Sequence, residues 1–112
     1  MSAITTHVLD TSRGCPAAGL HIELQVKSGA QWKPLGAGVT DASGRCNTLM
    51  GEEKLQAGAY RLLFDAGNYF KEQKTETFYS EIPIVFEILH REAHYHVPLL
   101  ISPFGYSTYR GS

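Results

Sequence analysis

Apolar residues recur at every second position in this chain, in short runs cut by glycine, proline, aspartate and serine. In residues 4–9, Ile4, Thr6 and Val8 fall on one side of an extended chain and Thr5, His7 and Leu9 on the other. Leu20, Ile22, Leu24 and Val26 repeat the pattern against His21, Glu23 and Gln25. Residues 32–40, 58–64, 84–89, 95–101 and 105–109 read as further strands. Turn signals separate them at Arg13-Gly14-Cys15-Pro16, Ser28-Gly29, Asp41-Ala42-Ser43-Gly44 and Ser102-Pro103-Phe104-Gly105. Many short strands at close spacing predict an all-β sandwich.

One segment departs from that rhythm. Asp65-Ala66-Gly67-Asn68-Tyr69-Phe70-Lys71-Glu72-Gln73 opens on a capping aspartate, and it predicts one short helix with Asp65 as N-cap. Residues 74–81 are polar and read as loop. Pro98 falls inside a strand pattern. Proline cannot donate to a ladder, so that strand is expected at a sheet edge, which in turn suggests an oligomer that covers it.

At 112 residues the chain makes a single domain, residues 1–112. A formal net charge of -1 gives no basic surface for nucleic acid. No apolar run nears the ~20 residues that a membrane helix needs. The start, Met1 to His7, lacks the basic and apolar regions of a signal peptide. With Cys15 and Cys46 both expected to be reduced, a cytoplasmic protein is the reading.

The candidate chemistry lies on the faces turned away from the core. If Val8, Val97, Leu99 and Ile101 fill the core, then His7, Leu9, His96, Pro98, Leu100, Ser107 and Tyr109 share an outer surface. That surface is too apolar for plain solvent and too polar for a core, which suits a subunit interface holding a polar pocket. Plainer readings stand beside it. Each histidine can be a surface residue bonded to a neighbour, and Arg45 a solvated charge. His94 and His96, at i and i+2 on one strand face, could chelate zinc, although no third ligand is near in sequence. A serine triad from Ser107 or Ser112 has no nucleophile-elbow sequence behind it.

Three stretches carry a family likeness: Thr6-His7-Val8-Leu9-Asp10-Thr11 with Gly14-Cys15-Pro16-Ala17, then Thr40-Asp41-Ala42-Ser43-Gly44-Arg45, then residues 94–112, ending Tyr109-Arg110-Gly111-Ser112. Together they resemble the transthyretin-related family across nearly the whole chain. The Tyr-Arg-Gly-Ser ending marks its hydrolase branch; transthyretin itself lacks that ending. The departures are Ser43, where an acidic residue is common, and Ile101, where leucine is common.

The resemblance implies a prealbumin-like sandwich of two four-stranded sheets with one short helix. It also implies a homotetramer with a central channel, and hydrolysis of 5-hydroxyisourate in urate degradation. His7, Arg45 and His96 match the family's catalytic positions, and Tyr109, Arg110, Gly111 and Ser112 its substrate-lining end. No cofactor and no metal are implied. Transthyretin, the hormone carrier, has other residues in place of the two histidines and the arginine. Their presence here favours an enzyme; a carrier of small aromatic ligands is the alternative, motivated by Leu9, Pro98 and Leu100 on the proposed channel face.

Overall fold

A computed structural model describes residues 3–51 and 54–112. The element order is β1 (Ile4–Asp10), β2 (Cys15–Pro16), β3 (His21–Ser28), β4 (Gln31–Val39), β5 (Arg45–Cys46), β6 (Gly58–Phe64), α1 (Ala66–Glu72), β7 (Ile82–Ile88), β8 (Tyr95–Ser102) and β9 (Gly105–Thr108). One sheet runs β4-β3-β6-β7. The other runs β2-β1-β8-β9, with β5 also pairing on β1. The second sheet therefore has one strand more than the sequence suggests. Strands β2 and β5 are two residues each, too short to show a period, and they follow one another along the edge of β1 that β8 does not occupy.

Register explains the core. Ile22 lies opposite Phe64, which lies opposite Ile82; the next row on that face is Leu24, Leu62 and Ile84. In the other sheet β1 and β8 run parallel, pairing Val8 with Leu99 and Asp10 with Ile101. These side chains meet between the sheets, where Val8, Leu24, Leu62, Phe64, Leu99 and Ile101 have no exposed surface. The same pairing sets Thr5 beside His96, His7 beside Pro98 and Leu9 beside Leu100 on the opposite face. Five members of the outward set read from the alternation, His7, Leu9, His96, Pro98 and Leu100, are placed by this pairing.

Strand β8 is not an edge: it lies between β1 and β9. Proline is tolerated there because of where its nitrogen points. The His96 carbonyl accepts from Gly111 N, and the Pro98 carbonyl accepts from Thr108 Oγ1. Residues 96 and 98 therefore both turn their backbone groups towards β9 and the tail. The β9 ladder ends at the Leu99–Thr108 pair and resumes only as the His96–Gly111 bridge. The missing N–H falls in the gap between them.

The helix is capped as the sequence indicates, with Asp65 Oδ1 accepting from Asn68 N at 3.2 Å. It buries Ala66, Tyr69 and Phe70. The Tyr69 hydroxyl donates to Asp10 Oδ2 at 2.8 Å, and Asp10 Oδ1 accepts from the Ser12 backbone and hydroxyl. Asp10 is wholly buried, so it depends on these donors. Burial, and then the hydrogen bond to Asp10, raise the Tyr69 pKa above its ordinary value.

Tyr69→Phe should therefore destabilise the fold by about 1–3 kcal/mol, since it leaves a buried carboxylate oxygen short of a partner. Urea unfolding should show a lower midpoint at unchanged slope; an unmoved midpoint would mean that the bond contributes nothing.

Candidate active site on the outer face of the β1–β8 sheet

Arg45 owes its position to the turn before it. Asp41 Oδ1 accepts from Ser43 N at 2.9 Å, Ser43 Oγ at 2.7 Å and Arg45 N at 3.0 Å. The hydrogen bond from the Ser43 hydroxyl, and next that from the Arg45 backbone, hold the Asp41 carboxyl below its ordinary pKa. Gly44 closes the turn at φ +80°, and its carbonyl accepts from Val8 N at 2.7 Å. A Cβ there would stand 2.4 Å from the Val8 carbonyl oxygen, so only glycine lets the turn dock this closely on β1. The docked turn sets Arg45 directly across from His7. Among the described residues no carboxylate lies within ion-pair distance of the Arg45 guanidinium.

His7 has a fixed tautomer. Its Nε2 lies 3.0 Å from the Ser43 carbonyl oxygen. A carbonyl only accepts, so Nε2 carries the proton and Nδ1 of the neutral ring is bare. His96 sits one row away. Its Nδ1 is 2.8 Å from Thr5 Oγ1, and the same hydroxyl is 3.1 Å from His94 Nε2. Burial first, then the charges of Arg45, His7 and His94, depress the His96 pKa below the ordinary 6.5. The ring is therefore held neutral, the form that can accept a proton.

The C-terminal residues close one side. Gly111 N donates to the His96 carbonyl at 2.9 Å, and a Cβ at Gly111 would stand 2.6 Å from His96 Cδ2. The tail thus lies flat against the imidazole. A hollow of about 250 Å³ results, lined by Thr5, Arg45, Asn47, His94, His96 and Ser112.

The expected residues are not all in it. His7 flanks the hollow across from Arg45. Tyr109 is 59% exposed and borders a separate cavity of about 190 Å³ with Arg110. Arg110 does not join the hollow at all. Alternation turns it to the inner side of the sheet, where its guanidinium lies over the Tyr95 ring, 4.7 Å from the centroid. It anchors the tail through that contact.

Thr5, Asn47 and His94 are additions to the expected set. Thr5 shares the outward face of His7 in the alternation, which is the one signal that pointed to it. Among the described residues no group of three or more histidine, cysteine or acidic side chains converges to hold a metal. His94 and His96 converge on a hydroxyl instead.

An NMR titration of His96 should give a midpoint below 6.5. Over the interval from 6.5 down to that midpoint the unfolded chain binds more protons than the folded one, so this ring lowers stability as pH falls. Gly111→Ala should push the tail off the ring, expose it and move the midpoint upward. An unchanged midpoint in the variant would show that the tail does not shield His96.

Comparison with known proteins follows the same lines. The HIUase/Transthyretin family model matches residues 4–111. The 5-hydroxyisourate hydrolase of Salmonella typhimurium is 45% identical over 109 residues, 97% of this chain and 80% of that protein. The structure of Klebsiella pneumoniae 5-hydroxyisourate hydrolase superposes with a TM-score of 0.85 at 37% identity, covering 97% of this chain and 98% of that one. Sea bream transthyretin in complex with thyroxine superposes with a TM-score of 0.90 at 33% identity, covering 97% and 94%. Backbone shape is shared by hydrolase and transthyretin alike, so only the side chains on it can tell them apart. By sequence match and by architecture together, the chain belongs to the HIUase/Transthyretin family.

Proposed function

We propose that the protein hydrolyses 5-hydroxyisourate to 2-oxo-4-hydroxy-4-carboxy-5-ureidoimidazoline, a step of urate degradation. The observation that carries this reading is the meeting of Arg45, His7 and His96 on one face, from three distant segments of the chain. The relatives named 5-hydroxyisourate hydrolase support it.

The reaction adds water to a ring lactam carbonyl. A carbon–oxygen bond forms, the ring carbon–nitrogen bond breaks, the nitrogen takes the proton that the base removed from water, and the carbonyl carbon, still attached to the rest of the opened ring, becomes a carboxylic acid that ionises to carboxylate. His96, kept neutral, takes the proton of the attacking water. His7, tethered through Nε2, holds the water or ring edge with its bare Nδ1. Among the described residues no carboxylate lies within ion-pair distance of Arg45, so its planar fork can meet the flat polar ring and the charge that develops on oxygen. Ser112 supplies a hydrogen-bonding end and Tyr109 a wall, while Arg110 and Gly111 keep the tail in place.

The working form in this reading is a homotetramer whose central channel is faced by Leu9, Pro98 and Leu100. The free edges of β7 and β9, and the exposed Val85, Leu89 and Tyr106, give surface for such contacts. The cytoplasm is the compartment proposed, supported by two free thiols at Cys15 and Cys46. Among the described residues no helix is long and apolar enough to cross a membrane.

The test is ultraviolet absorbance of freshly generated urate oxidase product. Wild-type protein should speed its decay. His7→Ala and His96→Ala should each lose about 10²–10⁴-fold in kcat, and Arg45→Ala about 10²–10³-fold. A carrier would instead bind thyroxine-like ligands in calorimetry and leave the decay rate unchanged. Sedimentation of the wild type should give four times the chain mass if the proposed tetramer holds.

A further inference from the structure

The Thr5 hydroxyl stands between two imidazoles, 3.1 Å from His94 Nε2 and 2.8 Å from His96 Nδ1. A hydroxyl has one hydrogen, so when it bonds both rings it donates to one nitrogen and receives an N–H from the other. The protons of the two rings are thereby tied in opposition. Only two arrangements of neutral rings satisfy both contacts. In the first, His96 Nδ1–H donates to Thr5 Oγ1, whose own hydrogen goes to His94 Nε2. His96 Nε2 is then bare. In the second, every bond is reversed, and His96 Nε2 carries a proton.

We infer that Thr5 and His94 are positioning residues for the proposed hydrolysis, and that the chain His94–Thr5–His96 holds His96 in the tautomer whose Nε2 is bare. Two geometric facts favour this direction. His96 Nε2 has no hydrogen-bond partner among the described residues, and its ring lines the hollow that Arg45 and Ser112 share. Moreover, the first arrangement survives the reaction. When Nε2 takes a proton from water, Nδ1–H still donates to Thr5 and the hydroxyl still donates to His94, so nothing has to turn. The second arrangement has no free nitrogen on His96 with which to accept.

The chain also makes His96 answer to the protonation of His94. A doubly protonated His94 must donate through Nε2 to Thr5. The hydroxyl then turns its hydrogen to His96 Nδ1 and drives that ring's proton onto Nε2. The charged and titratable groups facing His96 are His94 on the same strand, His7 on β1 and Arg45 on β5. Each of them disfavours positive charge on His96 itself. His94 is exposed.

The inference rests on the hydrolase reading for its catalytic meaning, but the proton arrangement can be read without substrate. Long-range proton–nitrogen correlation spectra of the labelled wild-type protein, above the titration of both rings, should show His96 protonated on Nδ1 and bare on Nε2. The reverse tautomer overturns the inference. Thr5→Val removes the bridge at nearly constant volume. It should release the tautomer preference and lower kcat about 10–100-fold, the usual scale for a residue that orients a catalytic group, with KM little changed. Thr5→Ser should restore both.

His94→Ala changes an exposed side chain and leaves the core alone. It should weaken the preference of the His96 proton for Nδ1 in the same spectra. A Thr5→Val protein that folds with the activity of the wild type sinks the inference while leaving the hydrolase reading intact. Predicted tautomers in a protein that does not speed the decay of 5-hydroxyisourate would instead uphold the proton arrangement and remove the hydrolase reading.

Discussion

The parallel ladder between β1 and β8 is the constraint on which the site depends. It pairs Ile4 to Asp10 with Tyr95 to Ile101 without a slip. A shift of one residue would turn either Val8, or Leu99 and Ile101, to the outside and bring His7 or His96 into the core. Burial forbids that shift, because those three apolar side chains have no exposed surface in the native register. Hydrophobic packing on one side of the sheet thus fixes the chemistry on the other. The strand part of the site is the reverse side of the core, and the Asp41 turn and the tail contacts complete it.

The same logic separates scaffold from activity. The sandwich overlays transthyretin and a hydrolase about equally well, so the fold alone does not choose between them. The proposed activity rests on a few outward positions: an arginine with no carboxylate within ion-pair distance among the described residues, two histidines each hydrogen-bonded through one ring nitrogen, and a tail that needs a glycine to pass the His96 ring. Each of these can change without disturbing the inner face.

The strands were legible in the sequence because long runs of alternation leave little freedom. Residues 58–64 match β6 residue for residue, and Asp65 caps α1 as its side chain suggests. Strands β2 and β5 were not legible, since two residues have no period; a backbone turn places them, not a pattern. Pro98 misled because the sequence shows that a donor is missing but not which neighbour would have received it. His7 and His96 were legible through outward parity together with the family resemblance, and Arg45 through the resemblance alone. The roles of Thr5 and His94 were not, since they arise from one hydroxyl meeting two rings about 90 residues away. Arg110 shows the converse, a residue in a specific motif whose side chain faces the other way.

The long span of the β1–β8 pairing also has a consequence for how the protein comes into being. On the ribosome β1 emerges about 90 residues before its parallel partner. Until then one flank of β1 stays open, its backbone groups unmatched and available to any passing strand. Distant pairings of this kind form slowly, because the loop between them must be closed before any contact rewards it. The hollow cannot exist in a half-made chain. Synthesis and site formation are therefore coupled: the hollow is complete only when residues 95–112 have folded back onto β1.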